Sequence, residues 1–100
     1  MTNKASIQKE ATQIFLRAAE YIKTYGWQKS GMSIHGKPRC SMGALESANP
    51  APIWNKDLAS LMYETLYKEL NGVSLTEFNK RAKDGLAVAQ LFEQVARTLS

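Results

Sequence analysis

Residues 34–47 read IHGKPRCSMGALES, and they decide whether the chain is purely helical or carries a β element. The stretch holds the sole histidine, His35, and the sole cysteine, Cys40, beside a Gly-Lys-Pro turn. Toward the N-terminus, residues 28–40 lose the helical period. Met32 and Ile34 alternate with polar neighbours, and HGKP at 35–38 supplies turn chemistry. This pattern predicts a short two-stranded β-hairpin over 28–40, which must lean on helices because an isolated hairpin is marginal in water. Toward the C-terminus, Ser41 is expected to cap a short helix in which Met42 and Leu45 face one way. Ala44 and Ala48 allow close packing there, and ANPAP at 48–52 ends the helix, since Pro50 and Pro52 disfavour helix in the residues before them.

Working outward, Ile7, Ala11, Ile14, Phe15, Ala18, Ile22 and Tyr25 recur at spacings of three and four. They form one apolar stripe of an amphipathic helix that Gly26 is placed to end. Trp27 follows the stop, where a large ring can fold back onto the stripe. Beyond the prolines, Asn55 or Asp57 opens a further helix. Its stripe is Leu58, Leu61, Met62, Leu66 and Leu70, widened by Tyr63 and Tyr67 and stopped by Asn71-Gly72. That stripe would permit a helix-to-helix dimer. VSLTEF at 73–78 reads as a capping box, with Ser74 on the amide of Glu77, Glu77 reaching back, and Val73 and Phe78 as a hydrophobic staple. Lys83-Asp84-Gly85 breaks this helix, and Asp84 caps a last one striped by Leu86, Ala89, Phe92, Val95, Ala96 and Leu99. The two stripes nearly share a phase, so one long kinked helix is the alternative. The fold class is therefore mainly α: a small orthogonal bundle of four to five helices, with a short β-hairpin between the first and second, in one domain over residues 1–100.

Composition fits that reading. In a chain of 100 residues, 44% hydrophobic and 22% charged residues give an ordinary globular balance. No apolar run approaches membrane length, and the first helical segment carries Lys9, Glu10, Arg17 and Glu20, so it reads as neither a membrane span nor a secretory signal. A single cysteine cannot form an internal disulfide, which points to a reducing cytoplasm. The net charge of +4 is localised: no acidic residue lies between Glu20 and Glu46, whereas Lys23, Lys29, Lys37 and Arg39 do. The remaining nine basic residues balance nine acidic ones. A local positive field of this kind draws anionic partners, although a rim of solvated lysines has the same signature.

The order of motifs resembles a family of small bacterial and phage proteins described only as a domain of unknown function. Its pattern runs helix–Gly-Trp, Cys-x-x-Gly-Ala-Leu, Ser-x-x-x-Trp-Asn, then a helix opened by a small polar residue. Gly26 and Trp27 match the first element; Cys40, Gly43, Ala44 and Leu45 match the second; Ser74 and Asn79 match the third. Phe78 stands where the family has tryptophan, Asp84 where it has threonine, and Lys80 where an aspartate is expected. The resemblance implies a mainly helical bacterial or phage domain and carries no activity with it.

Four chemistries compete for these residues. Cys40 beside a helix start, with Lys37 and Arg39 near, has the surroundings that favour a thiolate. With His35 as base and Asn49, Asn55 or Asn79 orienting the ring, it would make a cysteine hydrolase, although spacing alone forces no contact. Free cysteine is more often a buried packing residue. Free amides at the start of the 41–48 helix, flanked by Lys37, Arg39 and Ser41, would suit a small anion or nucleotide, without P-loop spacing. One histidine and one cysteine leave a metal site short of ligands, and no cofactor motif is present. Lys80, Arg81 and Lys83 supply the best run for phosphate contacts with nucleic acid. The expectation that accounts for most of the sequence is a non-enzymatic protein-binding module from a bacterium or phage. Lys29, Lys37, Arg39 and Trp54 would contact the partner, and occlusion of a host defence or regulatory complex is an apt role.

Overall fold

The computed structural model describes residues 4–29, 36–49 and 56–100. Among these are five helices: α1 (Lys4–Tyr25), α2 (Ser41–Ala48), α3 (Lys56–Glu69), α4 (Leu75–Arg81) and α5 (Gly85–Leu99). The protein is mainly helical, as the periodicity implies.

The core is built around α1. Ile7, Ala11, Ile14, Phe15, Ala18, Ala19, Tyr21 and Ile22 are all buried, a face too broad for a single neighbour. It meets α5 along its length and also touches α2 and α3. The α1–α5 pair is antiparallel. The Gln8 side chain donates to the Leu99 carbonyl at one end, and Phe15 lies 5.8 Å from Phe92 between ring centroids in the middle. At the other end Gly85 fits beneath Ile22 and Trp27, where a Cβ would come within 2.8 Å of the Trp27 Cβ. Buried Val88, Ala89, Phe92, Val95, Ala96 and Leu99 supply the α5 side of this contact. Leu86, expected in that stripe, is 57% exposed, because α5 presents its first turn to Trp27 through Gly85.

Helix ends follow the capping chemistry closely. Gly26 ends α1 at a φ of +99°, and Asn71 and Gly72 end α3 at +52° and +85°. There the Gly72 amide reaches the Tyr67 carbonyl at 2.9 Å, a six-residue closure that needs left-handed backbone. The Ser74 hydroxyl accepts from the Glu77 amide at 3.1 Å, and the Asp84 carboxylate accepts from Ala87 at 3.0 Å. Ala82, Lys83 and Asp84 separate α4 from α5, so they are two helices and not one. Glu77 departs from the expected box: its carboxylate takes Arg81 at 3.0 Å, one turn on.

Three further expectations are corrected. The hairpin over 28–40 is absent from the described flanks. The Gln28 amide donates to the Arg39 carbonyl at 3.2 Å and the Arg39 amide to Gly26 at 3.4 Å, an isolated parallel bridge between Trp27 and Arg39. A hairpin requires antiparallel strands, whereas these segments run the same way. Side chains hold the returning chain in place of a ladder: the Tyr21 hydroxyl donates to Lys37 O at 2.7 Å and accepts from Gly36 N at 2.9 Å. Met32 and Ile34, which suggested alternation, lie outside the described residues, as do Pro50, Pro52 and Asn55. Second, Tyr63 and Tyr67 do not widen the α3 stripe but stand in solvent. Only Thr65 and Leu66 of α3 are buried, and Leu58, Leu61, Met62 and Leu70 are partly covered. Third, Met42 is exposed while Leu45 packs against the core, so the two do not share a face.

Candidate functional site

The segment from Gly36 to Ala48 comes together with Trp27, Lys29 and Asn79. Asn79, on α4, is 6% exposed, and its carboxamide is used on both sides. The oxygen accepts from Trp27 Nε1 at 2.8 Å, from the Ser41 amide at 2.9 Å and from the Ser41 hydroxyl. The nitrogen donates to the Lys29 carbonyl. An amide oxygen has two lone pairs, so three donors leave it no spare capacity. Three segments distant in sequence, residues 27–29, the start of α2 and α4, are thus tied at one side chain.

This arrangement explains why α2 starts where it does. Cys40, not Ser41, occupies the N-cap position, in extended backbone with no side-chain cap. Ser41 is the first helical residue and wholly buried, its hydroxyl turned toward Asn79. The oxygen that a capping side chain would offer to the orphan amide comes instead from another helix. Capping in trans satisfies one of the orphan amides of the first turn, here that of the first helical residue. At the far end of α2, Arg17 of α1 reaches the Ala48 carbonyl at 3.5 Å, a cation beside the negative end of the helix.

Arg39 is drawn into the fold. It is 9% exposed, and its guanidinium donates to the Gly43 carbonyl at 3.2 Å and to the Ser47 hydroxyl. The stem crosses Gly43 so closely that a Cβ there would lie 3.0 Å from the Arg39 Cβ, which accounts for the glycine. The amide and hydroxyl of Ser41 and the guanidinium of Arg39, on which an anion site would rely, are therefore engaged inside the protein. Cys40 is half-buried and carries a free thiol. His35 and Trp54 lie outside the described residues. Asn79, a candidate to orient the His35 ring, is committed to Ser41, Trp27 and Lys29. Among the described residues, no group of three or more His, Cys, Asp or Glu side chains is placed to hold a metal ion.

The basic window is divided by the fold. Lys23 forms an ion pair with Glu93 of α5 at 2.8 Å, and this hydrogen bond raises its pKa above the ordinary lysine value. Arg39 is buried, while Lys29 and Lys37 remain exposed on either side of the Trp27–Arg39 bridge. The bond from Asn79 to Lys29 O sets Lys29 against α4, where Lys80, and Lys83 just beyond the helix end, are also exposed. Sequence reasoning treated these as two unrelated basic runs. Ser74 and Asn79 were legible as motif residues, but not that the motif residues Trp27 and Asn79 bond to each other.

A second feature escaped the sequence altogether. An open groove of about 740 Å³ runs between the end of α3, α4 and α5, floored by Leu70, Phe78 and Leu91 and rimmed by Glu69, Gln94 and Arg97. No helix among the described residues is long and apolar enough to cross a membrane.

No curated protein and no solved structure matches the chain. A family model does match, over residues 6–98, and this span includes every residue of the Asn79 cluster. The chain accordingly belongs to a family of unknown function, DUF6197.

Proposed function

We propose that the protein is a non-enzymatic module that binds an acidic protein surface through Lys29, Lys80 and Lys83, with Lys37 at the far side of the bridge. One observation carries this reading: the Asn79 side chain holds the Lys29 backbone against the helix from which Lys80 projects. The nearby carboxylates have other partners. Glu77 is paired with Arg81, and Asp84 caps α5. Arg39 drops out of the partner-binding set because it is buried. A positive patch with no cleft of convergent polar groups beside it among the described residues suits steering and docking better than chemistry. For a chain of phage origin, covering an acidic site on a host complex is the corresponding mode of action.

The test is affinity recovery from host extract with Lys29→Glu/Lys80→Glu/Lys83→Glu, beside Lys9→Glu/Lys56→Glu/Lys68→Glu as a charge-matched control. The first triple variant should lose the recovered partner at least tenfold and the control should not. Equal recovery by both, or recovery of nucleic acid in place of an acidic protein, would overturn the reading.

A further inference from the structure

Of the five asparagines, Asn71 alone precedes a glycine, and both Asn71 and Gly72 are exposed. In an Asn-Gly pair the side-chain carboxamide is unusually open to attack by the following backbone nitrogen, because glycine has no Cβ to hinder the approach. The fold engages that nitrogen elsewhere. The Gly72 amide donates to the Tyr67 carbonyl at 2.9 Å and the Asn71 amide to the Lys68 carbonyl at 3.2 Å, the two bonds of a Schellman stop. Asn71 sits within it at a φ of +52°, and Tyr67 lies over Gly72, its Oη 3.4 Å from where a Cβ would stand. The nucleophile of the reaction is thus the same N–H that closes α3.

We propose that Asn71-Gly72 is a self-modifying site, with water as its co-reactant, that the closed end of α3 keeps locked. When the last turn opens, the Gly72 N–H gives its proton to hydroxide and the nitrogen attacks the Asn71 side-chain carbon Cγ. The N–Cγ bond forms, the Cγ–Nδ2 bond breaks, and Nδ2 takes a proton from water and leaves as ammonia. A second water opens the five-membered imide at one of its two carbonyls, which yields aspartate or isoaspartate with no change of oxidation state. The isoaspartyl product carries one more methylene in the main chain of residue 71, so the two Schellman bonds cannot both re-form. Either product places a carboxylate at the negative end of the α3 dipole. Leu70, one residue earlier, floors the groove between α3, α4 and α5, and its carbonyl accepts from the Val73 amide at 3.1 Å. The reaction therefore loosens the α3 side of that groove permanently, and its rate is set by local opening of the helix end and not by the residue pair alone.

Folded protein and protein in denaturing urea are incubated at the same mildly alkaline pH, and conversion at Asn71 is followed by peptide mass spectrometry. The unfolded chain should convert at least tenfold faster. Hydrogen exchange of the Gly72 amide in the folded protein should be slowed by the same factor within about fivefold, since both reactions begin by freeing and removing one proton. The isoaspartyl form, separated and refolded, should melt below Asn71→Asp. Equal conversion of folded and unfolded chains overturns the proposal, as does an Asn71 that stays intact in urea. So does a protection of Asn71 that departs further from that of the Gly72 amide, or an isoaspartyl form that melts with Asn71→Asp.

Discussion

The indole nitrogen of Trp27 and the side-chain oxygen of Asn79, 52 residues apart in the chain, meet at 2.8 Å. Through that contact the residue after the α1 stop is fixed to the middle of α4, and the start of α2 is fixed to both. Residues that a motif reader would inspect for chemistry serve here as joinery.

Asn79→Ala should therefore act as a core mutation. It strands the Trp27 indole N–H and the Ser41 amide and hydroxyl, each a buried or half-buried donor. A loss of about 2–4 kcal/mol in urea unfolding is expected. Trp27→Phe removes one donor and leaves the rest of the cluster, so about 1 kcal/mol beyond the packing change is its share. Equal stability of Asn79→Ala and the parent would refute the joinery role.

Gly85→Ala runs against helix propensity. Alanine is favoured over glycine inside a helix by about 1 kcal/mol. A Cβ at this position, however, would lie 2.8 Å from Trp27 Cβ and 3.2 Å from Ile22 Cγ2. Overpacking of that order costs about 1–3 kcal/mol, so the variant should melt below the parent despite its better helix former. A melting temperature above the parent's would show that Trp27 moves aside freely.

Two caps provide a calibrated pair. Ser74→Ala and Asp84→Ala each remove a side chain that accepts a first-turn amide. Each should cost about 1 kcal/mol, which for a chain of this size lowers Tm by about 4–8 °C. Because the caps lie on different helices, the double variant should show nearly the sum.

The Lys23–Glu93 pair gives a pH signature. Lys23 titrates above its ordinary 10.5 because Glu93 hydrogen-bonds the charged form. A pKa raised by folding contributes stability that is fully present below the unfolded value and lost as pH rises through the folded one. The difference in Tm between the parent and Glu93→Gln should thus be constant from pH 7 to 9 and shrink above about 10.5. A difference that grows with alkalinity would contradict the pairing.

Helix positions were readable wherever local chemistry sets them. The α1 stripe ending at Gly26, the Asn71-Gly72 stop and the caps at Ser74 and Asp84 all depend on neighbours within a few residues. The site was less legible because it is assembled from contacts across the chain. Ser41 looks like an N-cap by type, yet Asn79 takes over that task from 38 residues away. Arg39 counts as surface charge in a sequence and becomes a buried strut once Gly43 lets its stem approach. Alternation near Met32 suggested a hairpin because period alone does not encode strand direction. Tyr63 and Tyr67 illustrate the same limit: their spacing marks a shared seam, but not whether that seam turns inward.

The Trp27–Arg39 bridge has an engineering consequence. It clamps the chain on both sides of residues 28–38, so the distance between those ends is set by the scaffold and not by what joins them. Lengthening a closed connection costs only about 0.6 kcal/mol per doubling. A foreign epitope or reporter peptide carried on this small helical frame thus keeps its ends fixed only where the insertion leaves both bridge residues, Trp27 and Arg39, intact.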